Sequence, residues 1–253
     1  MLEVEGVGKT FGGLKAVDGV SFDVREGEIR GVIGPNGAGK TTLFHLITGI
    51  LRPNSGSVRL DGRAVEGHSS VHIARCGVAR TFQQPQTFRT FTALENVMLG
   101  LESTRRSGAW ACGLGLPASR SEEARAVEEA LIHLEFVGLA GRADRIAREL
   151  PLGEQRYVEI ARALATKPRL LLLDEPAAGL NDSETVGLAS LLQRVRDRGV
   201  TLLLIEHHMQ FVMSLCDRIV VLNFGRKLAD GPPEQIRHAP EVISAYLGSA
   251  AHA

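Results

Sequence analysis

A glycine-rich run from Gly34 to Thr41, GPNGAGKT, fits the pattern GxxxxGK[ST] without a mismatch. It follows the short apolar run Ile29–Ile33 and precedes Thr41–Thr48, whose apolar residues fall on one helix face. Glycine permits tight turns and close backbone approach, and successive backbone N–H groups in such a loop can wrap an anion. The pattern therefore predicts a strand, a phosphate-binding loop and a helix, in that order.

The side chains of this loop are of the types that a bound nucleoside triphosphate requires. Lys40 can reach the β and γ phosphates, and the hydroxyl of Thr41 can reach Mg²⁺. The predicted nucleotide-binding residues of the loop are Gly34, Pro35, Asn36, Gly37, Ala38, Gly39, Lys40, Thr41 and Thr42. The alternative is a glycine-rich turn with a surface lysine, which would not require the strand before the loop or the helix after it.

Two acidic residues follow a fully apolar run, Leu170–Leu173, of the kind that is buried on both faces of a parallel sheet. Ligands of open α/β sheets bind at the carboxyl ends of the strands. Acids at that edge are costly unless they face a metal ion or a polar cleft. We therefore expect Asp174 to hold Mg²⁺ and Glu175 to orient or deprotonate the attacking water. The alternative is a pair of acids that caps the turn before Pro176.

Strands and helices alternate at both ends of the 253-residue chain, whereas the middle is mainly helical. This order predicts an α/β nucleotide-binding core interrupted by a helical subdomain. The predicted boundaries place the core at residues 1–84 and 167–231, the helical subdomain at 85–166, and a helical tail at 232–253. Within the subdomain, Ala109–Leu116 (AWACGLGL) is predicted to be either a flexible loop or an extra contact with a partner.

Composition argues against several other classes of protein. Lys+Arg and Asp+Glu both number 29, whereas proteins that hold nucleic acid by its phosphates are usually basic, so we expect no nucleic-acid partner. The three cysteines are far apart and form no CxxC pair, which argues against a disulfide framework or a zinc site. No run approaches the ~20 apolar residues of a membrane-spanning helix, so we expect any membrane role to involve a partner.

Further features surround the phosphate loop and the acids in an order that resembles the ATPase subunits of ABC transporters. They are Phe11, Gln83, the segment Leu150–Arg156, the segment Ala178–Asn181 and His207. The resemblance implies a P-loop NTPase core of the ABC ATPase type, with an inserted helical subdomain and an N-terminal antiparallel β region. It also implies that Phe11 stacks on the adenine of ATP, that Gln83 is the Q-loop glutamine and that His207 is the switch histidine.

The resemblance completes the predicted active site. The implied catalytic residues are Glu175, His207, Gln83 and Lys40, and the implied ligands of Mg²⁺ are Thr41, Gln83 and Asp174. The segment Leu150, Pro151, Leu152, Gly153, Glu154 and Gln155 resembles the signature motif, which in this family faces the ATP held by a second ATPase subunit. A helix N-terminus there would offer N–H groups and a positive dipole end to that phosphate.

This sequence departs from the usual motifs at four positions, one of which is Leu152 in the signature segment. Pro151 stands where the signature has a serine, Asn181 where an acid is usual, and His208 where an acid often follows the switch histidine. Proline suits the first turn of a helix but lacks the hydroxyl that could contact the γ-phosphate. Because the phosphate loop, the acids and His207 are intact, we expect an active ATPase.

A finer likeness is to the ATPases of branched-chain amino acid importers, carried by segments such as Lys9–Val17, Leu43–Gly49 and Ala79–Gln83. It implies membrane-spanning permease subunits, a second ABC ATPase subunit and a periplasmic or extracellular solute-binding protein, with this chain at the cytoplasmic face of the membrane. Residues Gln83 to Gly100 are expected to meet the permease, or else to pack within the subdomain. The alternatives are an ATPase for urea, amide or other amino acid import, a lipid or lipopolysaccharide export ATPase, and a non-transport or non-hydrolysing ABC-type protein.

Overall fold

A computed structural model describes residues 1–102 and 117–250 of the chain, and the Ala109–Leu116 insertion lies outside them. The chain divides into two compact units. The first, which we call the core unit, comprises Met1–Gln83 and Arg169–Ala253. The second, which we call the helical unit, comprises Gln84–Pro168.

Every strand among the described residues belongs to the core unit. They are β1 (Leu2–Phe11), β2 (Leu14–Val24), β3 (Ile29–Ile33), β4 (Ser55–Leu60), β5 (Arg63–Ala64), β6 (Val78–Arg80), β7 (Leu170–Asp174), β8 (Thr201–Ile205), β9 (Arg218–Asn223) and β10 (Arg226–Gly231). The helices are α1 (Lys40–Ile47), α2 (Ser70–Arg75), α3 (Ala93–Glu102), α4 (Pro117–Phe136), α5 (Leu152–Ala165), α6 (Asp182–Asp197), α7 (Met209–Leu215), α8 (Pro233–His238) and α9 (Pro240–Ala250).

A four-stranded antiparallel sheet contains the N-terminal strands in the order β2-β1-β4-β5. Along β1, Leu2 and Val4 are buried and alternate with exposed residues, as expected when one face of a sheet packs on the core. The β1–β2 hairpin closes where Phe11 pairs with Leu14 across the glycine turn.

A six-stranded sheet forms the centre of the core unit, in the order β10-β9-β3-β8-β7-β6. Strands β6, β7, β8, β3 and β9 are parallel neighbours, and β10 joins the edge antiparallel to β9. Every residue of β3, β7 and β8 is buried, which accounts for their nearly continuous apolar sequences. Because parallel strands share a direction, the chain leaves β3, β6, β7 and β8 at one edge of this sheet.

The helical unit is built from α3, α4 and α5. Helices α3 and α5 approach closely at Gly100, where an added Cβ would meet the carbonyl oxygen of Arg162 at 2.3 Å. The amide of Asn96, fully buried on α3, accepts a hydrogen bond from the Phe88 N–H at 2.8 Å and donates to the Thr92 carbonyl at 2.8 Å. This side chain therefore holds the loop that leads into α3.

The architecture is the one that the sequence predicts, an α/β core with an N-terminal antiparallel β region and a helical subdomain. The sequence analysis missed α2 and β10, and the C-terminal tail contains two helices, α8 and α9. Among the described helices, none combines the length and the apolar character needed to cross a bilayer.

Candidate nucleotide-binding site

The phosphate loop joins the end of β3 to the start of α1, as predicted, and two of its glycines are sterically required. Gly34 and Gly39 have positive φ values of 155° and 98°. A Cβ on Gly34 would lie 2.2 Å from the Leu222 carbonyl oxygen, and one on Gly39 would lie 2.3 Å from the Ala16 carbonyl oxygen. Only glycine allows the loop to pass this close to the neighbouring backbone.

Lys40 is the first residue of α1, and its ammonium group is buried against the loop. Nζ donates to the carbonyl oxygens of Gly34 at 2.7 Å and Pro35 at 3.0 Å. Burial lowers the pKa of Lys40, and the nearby carboxylates of Glu175 and Asp174 oppose this shift. The cation is thus held at the loop among acidic groups.

Asp174 ends β7 and is buried, but its observed partner is a residue that the sequence analysis did not single out. Nη2 of Arg80, at the end of β6, lies 2.7 Å from Oδ2 of Asp174, and both side chains are more than nine-tenths buried. The guanidinium of Arg80 also lies 5.8 Å from the ring centroid of Phe44 and 5.2 Å from that of Phe82. Arg80 therefore fixes the orientation of the predicted metal ligand.

Glu175, Gln83 and His207 are brought together from the ends of three strands. Nε2 of Gln83 donates to Oε2 of Glu175 at 2.8 Å, and Nδ1 of His207 lies 3.6 Å from the same oxygen. Glu175 has a positive φ of 45°, an uncommon conformation for a residue with a side chain. Backbone strain of this kind clusters at functional sites.

Two residues from distant parts of the chain also contact this region. Glu206, directly after β8, is fully buried and accepts hydrogen bonds from backbone N–H groups, including that of His207 at 3.0 Å. Burial raises the pKa of the Tyr246 hydroxyl on α9 to about 12, and the nearby backbone of Gly34 opposes this shift. Neither residue belongs to a motif that the sequence analysis recognised.

Phe11 lies at the β1–β2 turn and is 46% exposed, with Nζ of Lys9 5.5 Å from its ring centroid. The strand that follows this turn runs next to the phosphate loop, because the Ala16 carbonyl faces Gly39. The ring is therefore accessible on a hairpin beside the loop, as a residue that stacks on a base must be.

The signature segment lies at the start of α5 in the helical unit. Pro151 is the N-cap residue, and its backbone carbonyl accepts a hydrogen bond from the Gln155 N–H at 2.9 Å. Gly153 is buried in the first turn, and Glu154 pairs with Arg142 at 3.3 Å. Pro151 thus precedes the helix and provides no side-chain acceptor for its first N–H groups.

Asn181 has a structural role that its motif did not predict. Its side chain accepts a hydrogen bond from the Glu184 N–H, and the Glu184 carboxylate accepts one from the Asn181 N–H, each at 2.9 Å. This reciprocal pair is a capping box that begins α6. An amide at this position is therefore used to start the helix.

At one edge of the sheet, a phosphate loop, a buried lysine, two acids, a glutamine and a histidine form the candidate nucleotide-binding site. A sequence profile of the family described as "ABC transporter" matches residues 17–178, and a profile described as "Branched-chain amino acid ATP-binding cassette transporter" matches residues 226–252. The chain belongs to the ABC transporter family and is an ATP-binding ATPase subunit.

Within this family, the chain is similar to particular proteins and solved structures. It is 49% identical to the high-affinity branched-chain amino acid transport ATP-binding protein BraF of Pseudomonas aeruginosa, over 99% of this chain and 98% of that protein. It is also similar to the ADP conformation of the ATP-binding cassette MJ1267, with a TM-score of 0.86 and 34% identity over 98% of both chains. A dimeric post-hydrolysis state of the cassette MJ0796, bound to ADP and Pi, has a TM-score of 0.78 and 25% identity, covering 92% of this chain and 99% of that one.

Proposed function

We propose that this chain is the ATP-hydrolysing subunit that powers the import of branched-chain amino acids. The observation that carries the proposal is the 49% identity to BraF over nearly the whole of both chains, since BraF is named for branched-chain amino acid transport. The match of residues 226–252 to a profile of branched-chain amino acid cassettes supports the same cargo.

In the proposed reaction, the phosphate loop and Lys40 hold the β and γ phosphates of ATP, and Phe11 stacks on the adenine. Glu175 orients the attacking water, and proton removal by its carboxylate assists the attack. Gln83 is hydrogen-bonded to Glu175, and His207 lies beside the same carboxylate. Loss of the γ-phosphate would therefore change the contacts of all three side chains. Preorganised polar groups of this kind lower the barrier because they need little rearrangement.

The side chains proposed to hold Mg²⁺ fit that cation by their chemistry. Thr41 supplies a hydroxyl, Gln83 an amide oxygen and Asp174 a carboxylate, and Mg²⁺ prefers such oxygen ligands, together with phosphate oxygens of the substrate. Gln83 uses its Nε2 for Glu175, which directs the amide oxygen away from that carboxylate. When bound, the cation would neutralise charge on the transferred phosphoryl group.

Two features of the helical unit support the proposed protein partners. The signature segment at the start of α5 would face ATP in a second ATPase subunit, as dimerisation of the similar cassette MJ0796 supports. In the helical unit, Phe88 and Phe91 stack on each other at 5.6 Å while 50% and 40% exposed, a surface suited to a permease segment. A solute-binding protein and a location at the cytoplasmic face of the membrane complete this proposal.

The cargo is tested by uptake of radiolabelled leucine, isoleucine and valine in cells that lack this chain. We expect uptake to be lost and to return with the wild-type chain, but not with Glu175→Gln. That variant keeps the shape of the side chain and removes the carboxylate, so it should bind ATP with turnover reduced by about 100-fold or more.

Two outcomes would contradict the proposal in different ways. Unchanged uptake of the three amino acids, with loss of urea, amide or lipid transport, would overturn the cargo and leave the ATPase assignment standing. Near-normal ATP hydrolysis by purified Glu175→Gln would overturn the catalytic role of Glu175.

A further inference from the structure

Glu206 is an unusual residue of the core unit because its carboxylate is fully buried and is satisfied by backbone groups. Oε1 accepts a hydrogen bond from the Ala177 N–H at 2.8 Å. Oε2 accepts from the His207 N–H at 3.0 Å and from the His208 N–H at 3.3 Å. A buried charge is tolerated only when it is compensated, and here three N–H donors compensate it.

The two oxygens of Glu206 join two segments that carry proposed catalytic groups. Ala177 lies two residues beyond Glu175, and His207 directly follows Glu206. A backbone hydrogen bond from the Glu175 N–H to the Ile205 carbonyl, at 2.9 Å, already links these segments. The Glu206 carboxylate adds a second link, on the far side of Glu175. The separation between Nδ1 of His207 and Oε2 of Glu175, 3.6 Å, depends on both segments.

The chemistry of the position requires a carboxylate. Two acceptor oxygens, each with two lone pairs, match three N–H donors, whereas a glutamine side chain has one acceptor oxygen and would point an amide NH₂ at an N–H group. Aspartate keeps both oxygens but is one methylene shorter, so it cannot reach both segments without a backbone shift. Serine or threonine would satisfy only one segment.

We propose that Glu206 is a positioning residue for ATP hydrolysis, which holds the loop after Glu175 and the backbone of His207 in one fixed arrangement. The proposal rests on the proposed roles of Glu175 and His207. Glu206 acts on the catalytic groups through the backbone of its neighbours, and this contribution falls on the rate of the chemical step. Its negative charge also favours the charged form of Lys40, an effect that Glu206→Asp, which keeps the charge, leaves in place.

The test compares full-length Glu206→Gln with a matched control, Glu28→Gln. Glu28 is also buried and also accepts a backbone hydrogen bond, from the Arg25 N–H at 2.7 Å, but it precedes β3 at the opposite edge of the sheet. We expect Glu206→Gln to lower kcat by about tenfold to a hundredfold, because small displacements of catalytic groups have effects of that size. The dissociation constant for ATP should change by a much smaller factor than kcat, and Glu28→Gln should keep kcat once its folded fraction is accounted for.

A second comparison separates positioning from a general loss of stability. In a His207→Ala background, Glu206→Gln should cause less additional loss of kcat than it causes alone, because part of its effect passes through His207. Glu206→Asp, which keeps the charge, provides a further variant and should also lose kcat with ATP affinity retained. Equal losses in both backgrounds, or a loss that only follows the folded fraction, would overturn the proposal, as would failure of both Glu206 variants to fold.

The failure of this inference can be told apart from the failure of the proposed function. If the wild-type chain hydrolyses ATP and Glu206→Gln keeps its kcat within about twofold, the positioning role alone is overturned. If the wild-type chain, assayed with its permease complex, hydrolyses no ATP, the proposed function is overturned and this inference with it.

Discussion

Gly39 shows how a single residue fixes the geometry of the phosphate loop. Its φ of 98° and the closeness of the Ala16 carbonyl exclude any side chain. We predict that Gly39→Ala unfolds the loop locally and weakens ATP binding by at least about tenfold, the equivalent of losing one hydrogen bond to a charged group. Isothermal titration calorimetry with ATP measures the dissociation constant of the variant.

The control for that variant is Gly62→Ala. Gly62 also has a positive φ, 74°, but an added Cβ there meets nothing within 4 Å. We expect it to cost about 1–2 kcal/mol of stability from backbone conformation alone and to leave ATP affinity unchanged. Equal effects of the two variants on ATP binding would contradict the steric explanation.

The lowered pKa of Lys40 makes ATP binding depend on pH in a defined direction. Burial lowers this pKa below its ordinary value of 10.5, so the folded chain releases the Lys40 proton more readily than the unfolded chain does. The buried cation therefore costs stability below the folded-state pKa, and this cost is relieved as the pH rises through that pKa towards 10.5. Phosphate beside the ammonium favours the charged form, so ATP binding should raise the pKa again.

We predict that ATP affinity falls as the pH rises through the lowered pKa of free Lys40, by up to about tenfold per pH unit. Titrations between about pH 7 and pH 10 measure this, and Lys40→Arg is the control, because a guanidinium stays charged over that range. The same decline in both proteins would show that another group is responsible.

At the scale of the element, strands β3, β9 and β10 are joined by a buried ionic network. The side chain of Arg30 on β3 is 0% exposed, its Nη2 lies 2.5 Å from Oδ1 of Asp230 on β10, and its Nη1 lies 3.5 Å from Oε1 of Glu28. Arg218 on β9 also pairs with Asp230, at 3.3 Å. This network ties the antiparallel edge strand to the parallel sheet.

We predict that Arg30→Met lowers the free energy of unfolding by up to about 3–5 kcal/mol, because it removes the most deeply buried cation of the network and leaves Asp230 paired only with the less buried Arg218 and Lys227. Arg59→Met is the matched control, since Arg59 and Glu5 lie 3.8 Å apart with side chains 43% and 60% exposed. That pair should contribute less than about 1 kcal/mol. Urea denaturation measures the free energy of unfolding of both variants. Similar losses would mean that the buried network contributes no more to stability than the exposed pair.

Some elements could be predicted from sequence and others could not, for reasons that the packing explains. Strand β7 was predicted because it is buried on both faces and its sequence is almost wholly apolar. Strand β10, RKLADG, was missed because its charged side chains pair with partners such as Arg30 and Asp18, which lie far away in the sequence. Helix α2 was missed because it is short and buries only Ile73.

At the scale of the whole molecule, the candidate site was predictable where short motifs carry its chemistry. The phosphate loop, Asp174 and Glu175 follow directly from local patterns, and the structure brings Gln83 and His207 to Glu175. Three more contacts join residues distant in sequence and were not predicted: Arg80 at Asp174, Glu206 at Ala177, and Tyr246 near Gly34. Because they depend on how separate segments pack together, no motif spacing predicts them.

The proposed use of the signature segment by a second subunit makes a prediction about assembly. Each chain carries a phosphate loop in its core unit and a signature segment in its helical unit, so two chains in opposite orientation could complete two sites. ATP held between them would stabilise the pair, and hydrolysis would release it.

We predict that Glu175→Gln, which retains ATP, doubles its molar mass in size exclusion with light scattering when ATP is added. The control is Glu175→Gln combined with Lys40→Ala, which should remain monomeric because ATP binding is lost. If Glu175→Gln binds ATP and remains monomeric, the partner that supplies the opposing signature is a different ATPase subunit, and mixing the two chains with ATP should then produce the dimer.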